Sequence, residues 1–471
     1  QGLSASADDF LFQGSMVRRP RPARALVGAM VSGGGELPLM ARATVATAFA
    51  AALVGWQGVA ALDNGLGRLP PMGYNTWNDL GCTEMSEAGV KAAADALIKT
   101  GLRDLGYVFV NLDDCWHAPI RNLSSHQLMP DPLRFPSGLK ALSSYMHDRG
   151  LRFGIYTDRG ARTCAGRPGS LGHEELDAQT FADWGVDYVK EDNCFSTKGP
   201  NDQETLFAQF GKFRDSLNRT GRPIFFSVCG GGGQLPFSNL SYYATDSRGG
   251  EALANSWRVT SDCTEWHTCK FAFEVAGPLA SNAVPGGLND PDMLLGSSLA
   301  CARWLSPDRS RTQFSLWAIL MAPMLLGTRI SELTPFDLET YSNSEVLAVS
   351  QDRLGKQGFC LSRADSRSVW GRPLAGGDWA LLFLNDDWFF AADVVCDAAC
   401  WDALAFPSGS LVFVRDLWQT GKLTQSQVTA GVGLAVPVDA WGASIMLRLT
   451  PVTTSPTPVG MPRAEIPTLV V

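Results

Sequence analysis

The sequence predicts an α/β fold: a (β/α)8 TIM barrel followed by a C-terminal antiparallel β-sandwich domain. Three observations carry this. Short apolar runs alternate with amphipathic helical stretches along most of the chain, the rhythm of a parallel sheet. Several of those runs end in acidic residues, as expected where one rim of a closed barrel collects the functional groups. Beyond about Gln351 the helical period gives way to short alternating strands. A doubly wound sheet shares the first observation, but acids ending several different strands favour the barrel. No Gly-x-Gly-x-x-Gly follows any run, which weakens a dinucleotide-binding reading.

In chain order, residues 1–61 read as an N-terminal extension with a signal peptide. They hold five arginines and three acids; from Met40 a Met-Ala-Arg start leads into the uncharged, Ala-rich Ala43–Ala61, ending in small residues. Cleavage is expected near Ala61. A membrane anchor or an Arg-rich transit peptide competes, but the run is poor in Leu and Ile and contains Gln57. No other span of this kind exists, so the expected mature chain is soluble and sent through the secretory pathway, to an extracellular or vacuolar/lysosomal site.

The barrel is expected over 62–352. Its strands read as Met72–Trp77, Tyr107–Asp114, Leu151–Asp158, Val186–Asp192, Ile224–Val228, Trp257–Ser261 and Met324–Thr328. Helices read as Ser86–Leu102, Gly138–Arg149, Glu175–Trp184, Glu204–Arg219 and Arg311–Met321. Residues 353–450 form the sandwich, with strands at Trp379–Asn385 and Ser410–Arg415 and a hairpin over Leu434–Leu449; 451–471 is a Pro/Thr-rich tail.

Of 471 residues, 45% are hydrophobic and 18% charged, and the net charge is −8, which excludes disordered and fibrous classes. No basic stripe exists for a nucleic acid. Eleven cysteines, all after residue 61, agree with an oxidising compartment, and the odd total leaves at least one unpaired. Cys263-x-Glu-x-His-x-Cys269 is spaced like a metal site, but in such a compartment the thiols are expected to pair with each other or with Cys229. Cys396 and Cys400 are expected to bridge locally. Asn122, Asn218 and Asn239 head glycosylation triplets.

Four segments carry chemistry. In Tyr188-Val-Lys-Glu-Asp-Asn-Cys194, strand alternation puts Lys190 and Asp192 on one face and Glu191 on the other. An ammonium beside Asp192 predicts a lowered pKa suited to a nucleophile; Glu191 is expected in a rim salt bridge. Arg258 and Asp262 end another strand, and Asp113-Asp114 and Asn289-Asp-Pro-Asp-Met293 supply more acids. Carboxylates that grip hydroxyl pairs, with Trp77 and Tyr156 to cover an apolar ring face, describe a sugar site, and Trp116 has positional support for a place there. Two such acids can serve as nucleophile and acid/base in glycoside hydrolysis.

Leu69-Pro-Pro-Met-Gly-Tyr-Asn-Thr-Trp77, Asn111-Leu-Asp-Asp-Cys-Trp116, Gly154-Ile-Tyr156 with Thr163-Cys-Ala-Gly166, and Tyr188–Cys194 resemble the α-galactosidases of glycoside hydrolase family 27. So do Trp257-Arg258 through Asp262, Asn289–Met293, Arg311–Trp317 and Val349–Asp352, in order from about residue 66 to 450. The resemblance implies a retaining exo-glycosidase that removes terminal α-D-galactosyl residues from oligosaccharides, galactomannans or glycolipids, without metal or organic cofactor. It gives Asp192 as nucleophile and Asp262 as acid/base, with carboxyl groups about 5–5.5 Å apart. Asp113 and Asp114 would bind the 4- and 6-hydroxyls, Lys190 the 3- and 4-hydroxyls, Arg258 and Asp292 the 2-hydroxyl side, and Trp77 and Tyr156 would wall the ring. Cys82–Cys115 and Cys164–Cys194 match the family's disulfides beside the site, placing Cys164 next to the sugar. The expected partner is an α-galactoside, with no nucleic acid and no membrane in the mature form; a homodimer stays open.

One departure concerns specificity. Where typical members carry a Cys-Glu-Trp-Gly loop after the fifth strand, this chain has Cys229-Gly-Gly-Gly-Gly-Gln234. The change admits α-N-acetylgalactosaminidase or β-L-arabinopyranosidase activity as alternatives. A non-catalytic sugar-binding protein is a further one, disfavoured by the presence of both Asp192 and Asp262.

Overall fold

The computed structural model describes residues 64–195, 203–229, 250–299, 303–419 and 425–452. The signal-peptide region, nearly all of the tail, Asn239, Cys301 and the glycine run after Cys229 lie outside them. Eight parallel strands make one sheet: β1 (Met72–Asn75), β2 (Phe109–Asn111), β3 (Arg152–Asp158), β4 (Tyr188–Asp192), β5 (Phe225–Val228), β6 (Ser256–Arg258), β7 (Leu288–Asp290) and β8 (Met324–Leu326). Their order is β7-β6-β5-β4-β3-β2-β1-β8. Leu294, just beyond β7, bridges Leu326 in parallel and so joins the two outer strands, closing the ring.

Strand alternation fills the barrel in layers. Phe109, Tyr188 and Phe225 form its aromatic floor with Met293 and Leu325; the Tyr188 and Phe225 rings stack at 4.8 Å. One step further along the strands come Asn111, Lys190 and Ser227, and then the acids at the rim. The outward positions, among them Phe153, Ile155, Val189 and Phe226, pack beneath the helices in the main core. Gly154 belongs to the inner layer: a Cβ there would lie 1.9 Å from Asn111 Oδ1.

β7 lacks a sequence signature: of its three residues only Leu288 is apolar, and Asn289 and Asp290 open a polar motif. The helices Trp266–Ala276, Pro335–Tyr341 and Ser344–Ser350 were not read, and the helix expected from Arg311 starts at Pro307, capped by Ser306.

The C-terminal region packs a six-stranded antiparallel sheet, ordered β14-β13-β16-β11-β10-β9, against the pair β12-β15. These strands are β9 (Phe359–Ala364), β10 (Arg367–Pro373), β11 (Trp379–Asn385), β12 (Ala392–Cys396), β13 (Leu411–Asp416), β14 (Gln425–Thr429), β15 (Leu434–Val438) and β16 (Ala443–Pro451). Val369, Leu381, Phe383, Val394, Val436 and Leu447 lie in the core they share. The hairpin expected over Leu434–Leu449 does not form. β15 pairs with β12 and β16 with β11 and β13, because Trp441 and Gly442, at φ 66° and 80°, turn the chain from one sheet to the other. The sandwich seats on the barrel through Trp370, edge-on to Phe273 at 5.5 Å, and through Asp386, which accepts from Trp266 Nε1 and Lys270 Nζ.

Disulfides join Cys82–Cys115, Cys164–Cys194, Cys263–Cys269 and Cys396–Cys400, the last bridging β12 to the short helix Ala398–Leu404. Among the described residues Cys229 and Cys360 are free. No helix of the described residues is long and apolar enough to cross a membrane.

Glu191 corrects one expectation. It points outward from β4, is fully buried, and neither carboxyl oxygen has a hydrogen-bond partner, so there is no rim salt bridge. Burial, reinforced by Asp158, raises its pKa well above the ordinary carboxylate range; Arg159 opposes this, while Glu174 and Asp177 add to it.

Gly154→Ala is expected to cost about 1–3 kcal/mol by overpacking against Asn111, read as a lower midpoint of thermal inactivation. Glu191→Met should raise the unfolding midpoint, by a margin that grows with pH. Below about pH 4.3 folded and unfolded states both hold the proton; above it only the folded state does, so wild-type stability falls as pH rises. A margin that shrinks between pH 4 and 7 would contradict this.

Candidate active site

At the C-terminal ends of β1 to β7 the inward side chains converge on a charged basin. Lys190 Nζ lies 2.8 Å from Asp113 Oδ2 and 5.1 Å from the Tyr156 ring centre. Burial by itself would discharge this ammonium, but Asp113 and Asp192 overcome that and hold its pKa well above the usual value. Asp113 is fixed from several sides: Asn75 Nδ2 donates to the same oxygen at 3.0 Å, Asp114 N to the other at 2.9 Å, and its own N–H reaches Thr76 Oγ1. Asp114 is buried, accepting from Cys115 N and Ala165 N; burial raises its pKa against those hydrogen bonds.

Asp192 Oδ2 accepts from the Tyr156 hydroxyl at 3.0 Å and Oδ1 from Asn193 N at 2.8 Å. Its environment reverses the expected sign. Burial pushes its pKa up, Lys190 pulls it down, and Asp113 and Asp262 push it up again, leaving a net rise. The lone ammonium that sequence reasoning weighed is shared with Asp113, and burial was not legible at that stage.

Across the basin, Asp262 accepts from Trp77 Nε1 at 3.3 Å and from Arg258 Nη2 at 3.2 Å. Burial would raise its pKa, but Arg258 and Lys190 outweigh it and lower it. The side chain keeps 46% exposure, so solvent screens part of that pull. Arg258 also pairs with buried Asp292 at 3.0 Å. Burial drives Asp292 up, to about 7, against Arg258. Asp292 sits in the left-handed region, φ 84°, held by Cys263 N on its carboxylate and Trp317 Nε1 on its carbonyl. A non-glycine residue there is strained, as is common where a side chain must be aimed.

The structure thus brings together Trp77, Asp113, Asp114, Tyr156, Cys164, Lys190, Asp192, Arg258, Asp262 and Asp292. Cys164 Sγ accepts from the Tyr156 hydroxyl at 3.3 Å, and its disulfide ties the loop after β3 to the end of β4. Trp116 is not in the basin: it is fully buried, stacked on His117 at 3.7 Å, and donates to Tyr156 O. Sequence reasoning missed Asp158 and Asn75, and of the two acids in Asn289–Met293 it gave a role to Asp292 alone, passing over Asp290. Asp158 lies level with Asp192 in the β3/β4 register and accepts from Cys194 N, so the alternation that singled out Asp192 also points to it. Asp158, Cys164, Asp192 and Cys194 cluster closely enough for a cation, but both sulfurs are tied in one disulfide. Cys263 and Cys269 are bridged too, which removes the thiolates of the metal-like spacing.

Such a basin of carboxylates, two cations and two aromatic walls can grip sugar hydroxyls and hold two acids near one reacting centre. Comparison with known proteins agrees. Residues 69–352 match the family model described as alpha galactosidase A, and 364–440 match that of the alpha galactosidase C-terminal beta sandwich domain. The chain is 40% identical over 399 residues to alpha-galactosidase 3 of Arabidopsis thaliana, covering 84% of each. It superposes on alpha-galactosidase I of Mortierella vinacea with a TM-score of 0.72 and 30% identity, covering 82% of this chain and 98% of that one. The α-galactosidase of Saccharomyces cerevisiae with raffinose gives a TM-score of 0.72 at 27% identity, covering 83% and 99%. The chain therefore belongs to the α-galactosidase family of glycoside hydrolases, glycoside hydrolase family 27.

Proposed function

We propose that this chain is a retaining exo-α-galactosidase, with Asp192 as nucleophile and Asp262 as acid/base. One observation carries the pairing: two ring-bearing walls each hydrogen-bond one of the two acids, Tyr156 to Asp192 and Trp77 to Asp262. A pyranose between those walls has a carboxylate on either side of its anomeric carbon.

In the first step Asp192 attacks that carbon while the Asp262 carboxyl gives its proton to the departing glycosidic oxygen. In the second, Asp262 takes a proton from water, whose oxygen displaces Asp192. Arg258 and Lys190 hold Asp262 low, and burial holds Asp192 high. Sugar entry strips water from half-exposed Asp262 and lifts its pKa for acid duty. Once Asp192 is esterified its negative charge is gone, and the pKa of Asp262 drops again, as a base requires. Asp113 and Asp114 would take the 4- and 6-hydroxyls, Lys190 the 3- and 4-hydroxyls, and Arg258 with Asp292 the 2-hydroxyl side.

The proposed layout is a catalytic barrel over 62–352 and a sandwich over 353–450. Passage through the secretory pathway is supported by four disulfides and by sequons at exposed Asn218 and half-exposed Asn122. The substrate is an α-galactoside on an oligosaccharide or larger glycan. The glycine run after Cys229 keeps α-N-acetylgalactosaminide and β-L-arabinopyranoside as substrates to test beside it.

Nitrophenyl α-galactoside, α-N-acetylgalactosaminide and β-L-arabinopyranoside assayed in parallel should give the highest kcat/KM for the first; a higher value for either other glycoside would replace the proposed substrate. Asp192→Ala should lose the nitrophenol burst. Asp262→Ala should keep the burst yet lose about 10²–10⁴-fold on galactosides with poor leaving groups. Equal loss of the burst in both variants would overturn the role assignment. In the free enzyme Asp262 lies below Asp192, so the acidic limb of kcat/KM should follow Asp262 and lie below the ordinary Asp value of about 3.9, and the basic limb should follow Asp192 and lie above it. Lys190→Met, which removes an ammonium that favours both charged forms, should move both limbs to higher pH.

A further inference from the structure

Apart from the basin, one surface combines a cavity with exposed aromatic rings. Between the N-terminal end of the helix Pro307–Ile319 and strands β12, β15 and β16 lies a cavity of about 510 Å³, lined in part by Asp308, Arg311, Asp393, Asp439 and Ser444. Beside it Trp388, Phe389, Phe390 and Trp441 are 63%, 81%, 71% and 53% exposed, a concentration of large rings that a water-facing surface does not hold by chance.

The rings are presented, not left over. Asp387 Oδ1 accepts from Phe389 N and Phe390 N, turning both outward, and Trp441 N donates to Asp387 O. Trp441 stands in the left-handed region, and Gly442 after it is packed so tightly that a Cβ would come within 2.9 Å of both Arg309 and Trp266. The Arg309 guanidinium lies 5.2 to 5.7 Å from the Trp266, Trp388 and Trp441 ring centres, and its Nε has no hydrogen-bond partner.

Topology puts this surface on the catalytic face. The helices Trp266–Ala276 and Pro307–Ile319 follow β6 and β7, so their first residues lie at the same end of the barrel as the acids. Trp266 is four residues after Asp262, a span of at most about 14 Å.

We propose that this surface is a second saccharide-binding site, taking the neutral glycan chain that carries the galactosyl group cleaved in the basin. Indole faces cover the apolar side of a pyranose, and Asp308, Asp393 and Asp439 accept from its hydroxyls. Charge favours this occupant: an anionic membrane surface is repelled by the acids around the cavity, and a second copy would set acids against acids. The proposal rests on the galactosidase reading only for the identity of the chain bound.

The test is native electrophoresis through gels containing galactomannan or galactose-free β-mannan, alongside kinetics. Both polymers should retard the wild-type protein, and Trp388→Ala/Trp441→Ala should abolish the retardation. That variant should keep kcat/KM on nitrophenyl α-galactoside within about twofold and lose about five- to tenfold on galactomannan, the size of one lost aromatic contact. Asp393→Ala/Asp439→Ala, which leaves the rings in place, should weaken retardation too, guarding against misfolding of the tryptophan variant. Equal retardation of wild type and both variants, each measured against its own mobility in a polymer-free gel, would overturn the proposal, as would a wild-type dimer that the tryptophan variant converts to a monomer without a change in retardation. Retardation without hydrolysis of the aryl galactoside would instead overturn the galactosidase reading and leave this site standing.

Discussion

Two cations, buried Arg258 and half-buried Lys190, hold the site together. Lys190 and Arg258 rise from β4 and β6 into a basin that contains Asp113, Asp192, Asp262, Asp290 and Asp292. That many carboxylates cannot all remain charged side by side in a largely buried basin unless cations are shared among them. Each cation therefore serves two acids: Lys190 serves Asp113 and Asp192, while Arg258 serves Asp292 and Asp262. The pairs differ in exposure, and this sets Asp192 and Asp262 apart in pKa. In the double displacement proposed above such a difference is useful because it is reversible. Burial would change as sugar enters, and charge as the proposed nucleophile is esterified.

The barrel supplies this arrangement through alternation alone. Tyr188, Lys190 and Asp192 are two residues apart on one strand, so one becomes floor, one the basin's cation and one a carboxylate at the rim. The same alternation sends Glu191 to the opposite face, beneath the helices, where it finds no partner. The strand thus accepts an unsatisfied carboxyl behind the site as the neighbour of two functional groups in front of it. Disulfides at Cys115 and Cys194 fasten the loops that leave β2 and β4, where small displacements would move Asp114 and Asp192 most.

Much of this was legible from residue order. Strands that end in polar or acidic groups, the Lys190/Asp192 face and the change of texture near Gln351 all depend on local periodicity, which survives into the fold. β7 was hidden because only Leu288 of its three residues is apolar, and the other two open the polar Asn-Asp-Pro-Asp motif. The β15/β16 hairpin was misread because two adjacent alternating runs look alike whether they pair with each other or with distant strands; only the left-handed turn at Trp441 and Gly442 separates the cases. Trp116 looked like a sugar platform by its place in the motif, yet its indole N–H is spent on the Tyr156 carbonyl inside the core.

The sequence by itself determined the order of most βα units, the facing of the residues in the strands it shows and most of the acids that end them, because these follow from covalent spacing and side-chain period. Only the tertiary structure decided which acids share a cation, how far each carboxyl is withdrawn from water, and that Trp388 and Trp441, 53 residues apart, meet over Arg309. Burial and charge–charge distance are properties of three-dimensional neighbours, and no one-dimensional pattern encodes them.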